Sequence, residues 1–159
     1  MIRKKVRKFP IGGIDLPEKK SLTRDEKIKV MPDPDTVAIP LLQHIGAPAK
    51  PILSKGDEVE KGQCIAENNE ELSSRIHSSI NGIVQGIVER KKPGHGKYKC
   101  ILIKKNEDGK KEINFEENKN EEISSELIRN KVKKAGIVGL GGAGFPTHVK
   151  LNPPSDVNI

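Results

Sequence analysis

The octet Gly56-Asp57-Glu58-Val59-Glu60-Lys61-Gly62-Gln63 constrains the fold of this chain more than any other stretch. Lys55-Gly56-Asp57 and Lys61-Gly62 are turn signals a few residues apart, because glycine reaches the backbone conformations that tight turns require. Only a short extended piece fits between two such turns, and Val59 is its one aliphatic side chain. That valine is expected to plug one end of a small barrel. Ile80-Asn81-Gly82-Ile83-Val84 then returns the chain on the opposite side.

Around this motif the pattern is one of short strands divided by turns. Residues 36–42 are rich in strand formers but include Pro40, which cannot donate to a ladder, so they are expected as an edge strand or a bulged one. Residues 27–31, 51–54, 63–67, 82–89 and 98–104 read as further strands. Strict alternation over 82–89 would put Ile83, Gln85 and Ile87 on one side and Val84 and Val88 on the other. With no Trp, one Tyr and three Phe, the core has to be built from Ile, Val and Leu. Cys64 and Cys100 stand far apart with no Cys-x-x-Cys spacing, so they read as small buried side chains and no metal site is expected. His44 and His77 read as hydrogen-bonded scaffold.

The octet and its return resemble the barrel-sandwich hybrid of biotinyl and lipoyl carrier domains. Those domains carry an acylated lysine at the tip of the hairpin between their two halves. The corresponding tip, Asn68-Asn69-Glu70-Glu71, has no lysine, so the fold is expected without the carrier chemistry.

Charge is spread unevenly along the chain, with a net +7. Arg3, Lys4, Lys5, Arg7 and Lys8 crowd the start. They read as a solvated tail, or as a contact for anionic lipid heads or an acidic partner. Nucleic acid is not expected, because aromatic side chains for base stacking are almost absent. No apolar run approaches the roughly 20 residues of a membrane span, and no apolar stretch follows the first cations as in a signal peptide. Four regions are expected: a basic extended arm over 1–27, the barrel over 28–105, an acidic linker over 106–122, and a different domain beginning at 123 and running to 159. That last stretch opens with a helix capped by Ser124 or Ser125, with Ile128, Val132 and Ala135 as its apolar stripe and Gly136 as its stop.

Past the helix comes Gly139-Leu140-Gly141-Gly142-Ala143-Gly144-Phe145-Pro146-Thr147-His148-Val149-Lys150. Four glycines in six positions leave bare main chain that a phosphate or a flat ring could approach, and Lys150 supplies a cation. Gly139-x-Gly141-x-x-Gly144 matches the dinucleotide fingerprint in form. Spacing alone also allows a tight-packing turn against a neighbouring helix.

The run Gly-Gly-Ala-Gly-Phe-Pro-Thr with its following lysine resembles the flavin- and NADH-binding loop of the complex I flavoprotein family. With Gln43-His44-Ile45-Gly46-Ala47-Pro48-Ala49-Lys50-Pro51 and Gly12-Gly13, it resembles one branch, the C subunit of the Rnf ion-translocating electron transport complex, over nearly the full length. The resemblance implies a mainly β barrel-sandwich hybrid followed by the start of an α/β FMN/NADH-binding domain, α+β overall. It implies a peripheral subunit on the cytoplasmic side of a membrane. Such a subunit takes hydride from NADH onto FMN and passes electrons through [4Fe-4S] clusters, with the other subunits of the complex, towards ferredoxin. Gly141, Gly142 and Gly144 would offer N–H groups to FMN or NADH, Phe145 would stack on a ring, and Lys150 would pair with the FMN phosphate. Gly139, Ala143 and Thr147 complete that expected site. Leu140 stands where the complex I loop carries an arginine. The family's cluster cysteines and the rest of its flavin site lie beyond position 159, so this stretch alone is expected not to oxidise NADH. The rival expectation is a subunit-docking or assembly module that binds no nucleotide. Residues 125–159 are expected to be loosely held for want of partner elements.

Overall fold

A computed structural model describes residues 19–32, 34–91, 96–106 and 123–153. The chain divides into two compact units, Met1–Pro32 and Asp33–Ile159. In the first, the described residues form a single 3-10 turn, Lys20–Leu22, followed by irregular chain. The strand expected over 27–31 does not form, and Ile28, Val30 and Met31 stand in solvent. Alternation makes a strand only where a neighbouring edge takes up its N–H and C=O groups, and no ladder reaches these residues. The cations from Arg3 to Lys8 and the acidic stretch 107–122 lie outside the described residues.

The second unit contains two small antiparallel sheets. The first holds β1 (Thr36–Pro40), β3 (Glu58–Val59), β6 (Gly82–Lys91) and β7 (Lys97–Lys105), in the order β1-β7-β6-β3. The second holds β2 (Lys50–Pro51), β4 (Cys64–Glu67) and β5 (Ile76–His77), in the order β2-β4-β5. β1 is an edge strand, as Pro40 requires. Ile39, Val84, Ile101 and Ile103 of the first sheet form one buried cluster with Ile65, Ala66 and Ile76 of the second. The core is aliphatic throughout, and each fully buried Ile contributes roughly 2 kcal/mol by transfer.

The octet folds as two copies of one turn. In Ser54-Lys55-Gly56-Asp57 the Asp57 N–H donates to the Ser54 carbonyl at 3.2 Å, while the Ser54 N–H donates to Asp57 Oδ2 at 2.7 Å. In Glu60-Lys61-Gly62-Gln63 the Gln63 N–H donates to the Glu60 carbonyl at 3.0 Å, while the Glu60 N–H donates to Gln63 Oε1 at 2.9 Å. Gly56 (φ 98°) and Gly62 (φ 84°) supply the positive φ of the third turn position. Their N–H groups then reach across, to the carbonyls of Val84 and Ser78, both at 2.8 Å. Between the turns Val59 is 3% exposed and pairs with Gly82. A Cβ on Gly82 would lie 2.2 Å from the Lys104 carbonyl oxygen, so only glycine lets β6 close on β7 at that point.

β6 departs from strict alternation. Val84 opposes Ile103, but Gly86 opposes Leu102, leaving Gln85 as an extra residue. Gly86 (φ 121°) provides the conformation that this bulge needs. Directly opposed residues share a sheet face, so Ile87, opposite Ile101, lies on the face of Val84, while Ile83 and Val88 lie on the other.

Helix α1 (Ser125–Lys134) begins where Ser124 Oγ accepts the Leu127 N–H at 3.1 Å. Glu126 in its first turn and Lys131, Lys133 and Lys134 in its last complement the helix dipole. The expected apolar stripe is not a buried one: Ile128 and Ala135 are exposed and Val132 is half-buried. The helix packs instead on α2 (Thr147–Lys150) and lies outside the aliphatic core. Residues 123–153 do find a partner, which is the barrel itself.

Candidate nucleotide loop and its anchorage

The glycine run forms a closed loop whose ends pair. Val138 and Pro146 make an antiparallel bridge. The bonds flanking it run from the Gly139 N–H to the Phe145 carbonyl at 2.9 Å and from the Thr147 N–H to the Ile137 carbonyl at 3.0 Å. Pro146 therefore sits at the one position in the pairing that needs no N–H, and its ring is fully buried.

Inside the loop the glycines divide by task. The Gly144 N–H donates to the Gly141 carbonyl at 3.3 Å, and a Cβ on Gly144 would meet the Gln43 carbonyl at 2.9 Å. The Gly139 N–H is likewise spent within the loop. By contrast, nothing lies within 4 Å of a Cβ built on Gly141 or Gly142. Among the described residues the N–H groups of Gly141, Gly142 and Ala143 have no acceptor. Leu140 beside them projects fully into solvent. The bare surface thus amounts to 141–143 rather than the whole run.

Lys150 comes back over this loop from α2. Its ammonium stands 5.6 Å from the centroid of the Phe145 ring, a cation–π contact. It also lies 3.9 Å from the place a Gly139 Cβ would take, an ordinary contact distance, so the ammonium stands directly beside Gly139. Gly139, Phe145 and Lys150 are therefore brought together, and Thr147 opens the short helix that carries the lysine.

Several contacts among the described residues fasten this segment to the barrel. The Ile45 N–H donates to the Ala143 carbonyl at 2.9 Å. Gly144 rests on the backbone of Gln43 and His44. Gly136 (φ 68°) ends α1 and rests on Arg75, whose carbonyl oxygen would be 2.4 Å from an added Cβ. His148, 9% exposed, donates from Nε2 to the Glu71 carbonyl at 3.2 Å. Sequence reasoning missed His148, since nothing in its spacing marks a buried side chain on a four-residue helix.

The barrel histidines are built in as scaffold. His44 Nε2 accepts the Ser74 N–H at 3.1 Å, so the ring proton is on Nδ1, which donates to the Ile45 carbonyl at 3.0 Å. Burial lowers the His77 imidazole below its usual range, while the Lys134 carbonyl pulls the other way and Arg75 repels the charged form. Cys64 and Cys100 lie in different sheets. Burial raises both thiols, Cys64 against a smaller opposing pull from Arg75 and Cys100 against one from Arg90. Neither is placed to share a ligand with the other. Among the described residues no helix is long and apolar enough to cross a membrane.

Fold and site together define a barrel-sandwich hybrid in which the hairpin that carriers use to present a lysine packs instead against the end of α1 and against α2, on either side of a glycine loop. A family model described as the RnfC barrel sandwich hybrid domain matches residues 8–108, and the chain belongs to that family. The C subunit of the proton-translocating ferredoxin:NAD(+) oxidoreductase complex of Clostridium ljungdahlii is 43% identical over 151 residues, covering 93% of this chain and 33% of the relative. The C subunit of the Na(+)-translocating ferredoxin:NAD(+) oxidoreductase complex of Acetobacterium woodii is 38% identical over 151 residues, covering 93% and 34%. The C subunit of the ion-translocating oxidoreductase complex of Rhodobacter capsulatus is 39% identical over 144 residues, covering 89% and 28%. The chain spans about a third of the length of these curated relatives.

Proposed function

We infer that this chain is the N-terminal part of the NADH-oxidising, electron-transferring C subunit of a membrane-bound, ion-translocating NADH:ferredoxin oxidoreductase, lying at the cytoplasmic side of the membrane. The observation that carries this reading is the row of unengaged N–H groups at Gly141, Gly142 and Ala143, in a loop that also holds the Lys150 ammonium over Phe145. Donors of that kind suit a phosphate, and Phe145 offers an aromatic face beside it. FMN, when bound, would supply the step from two-electron to one-electron transfer. This chain's residues would hold its anionic end and that of NADH, and keep side chains out of the approach. Cys64 and Cys100 do not fit an iron–sulfur cluster, because Cys64 is half-buried in one sheet and Cys100 buried in the other, so the [4Fe-4S] clusters of this reading belong to other parts of the subunit.

The second reading, an assembly module without a nucleotide, draws support from Gly136 and Gly144, which serve packing against the barrel. Flavin titration of the full-length protein separates the two. The first reading expects bound FMN that NADH bleaches, and about a tenfold loss of FMN affinity in Lys150→Ala, the usual scale for one charge-assisted bond. Absence of any bound flavin would establish the second.

A further inference from the structure

The β4–β5 hairpin has no carrier lysine, yet its return arm, residues 71–75, meets the end of α1 and the helix α2 directly and reaches the glycine loop through His44. The Glu71 carbonyl accepts His148 Nε2–H at 3.2 Å. The Ser74 N–H holds His44, and His44 fixes the backbone at Ile45, whose N–H binds the Ala143 carbonyl at 2.9 Å. The Arg75 carbonyl receives Gly136. Glycine loop, helix stop and lysine-bearing helix are thus all referred to one short piece of barrel backbone.

The geometry points to this arm as a clamp that positions the glycine loop, with His148 as its positioning residue on the side of Lys150. The inference rests on the reading that the loop takes a nucleotide, and adds what sets its position. His148 and Lys150 share one short helix, so freeing the ring from Glu71 frees the ammonium as well. The bond is directional: Nε2–H donates, and Nδ1 is buried with no partner among the described residues. Only a side chain that places a donor where Nε2 lies can replace it. Glutamine does so, and leucine fills similar space without a donor.

The test compares His148→Leu and His148→Gln in the full-length protein, with Lys150→Ala alongside. His148→Leu is expected to weaken FMN binding about tenfold, the scale of one hydrogen bond lost. His148→Gln should stay near wild type, and hydrogen exchange at the Val84 and Ile103 amides should be unchanged in both. Wild-type FMN affinity in His148→Leu, with affinity lost in Lys150→Ala, overturns the clamp and leaves the functional reading standing. Wild-type affinity in both variants overturns the two together. The Ile45 amide decides the matter should His148→Leu fail to fold. In the wild-type protein it should exchange at least about tenfold more slowly than a free peptide amide, and exchange at the free rate overturns the clamp.

Discussion

A single histidine ring shows how the site and stability meet. His77 is half-buried beside the end of α1, and burial favours its neutral form in the folded protein. As pH falls, the unfolded chain takes up the extra proton first. Its stabilising effect is therefore complete above the ordinary value of 6.5 and is lost as pH drops below that towards the folded value. Wild type should lose thermal stability relative to His77→Gln between about pH 7.5 and about pH 5, with no divergence above that range. Parallel melting curves for the two proteins would show that the ring is not buried as described. His44 and His77 were legible as scaffold because neither stood in a ligand-spaced cluster. His148 was not, since its burial depends on a carbonyl 77 positions away in sequence.

Among elements, the paired turns around Val59 show what local chemistry can specify. Each has a lysine and a glycine in its centre, and closes with a residue whose side chain caps the first N–H. Everything needed to read them lies within four residues, which is why the octet stood out. Asp57→Ala should destabilise the barrel by about 1 kcal/mol in chemical denaturation, and Asp57→Asn, which keeps an acceptor oxygen, by clearly less. Equal losses would mean that the carboxylate acts by charge and not by capping. The bulge in β6 was not legible. Its extra residue, Gln85, is set by the register against β7, and alternation within one strand carries no record of its partner. Residues 27–31 fail the other way, since their alternation is sound but they join no ladder.

In the second unit as a whole, the glycines from 136 to 144 serve two purposes. Gly136 and Gly144 let backbone touch backbone, while Gly141 and Gly142 face open space. The run and its resemblance to a flavin loop were legible in the residues, but the division was not. That depends on what stands opposite each Cα: Arg75 for Gly136, Gln43 and His44 for Gly144, and open space for Gly141 and Gly142. The division also yields a clean experiment. Gly141 has no positive φ and nothing within 4 Å of a Cβ, so a side chain there leaves the fold alone. The most direct measurement is the flavin content of the full-length protein with Gly141→Val, its melting temperature recorded alongside. An unchanged melting temperature and a loss of most bound FMN are the expected result. Full flavin occupancy in that variant would contradict the nucleotide role of the loop.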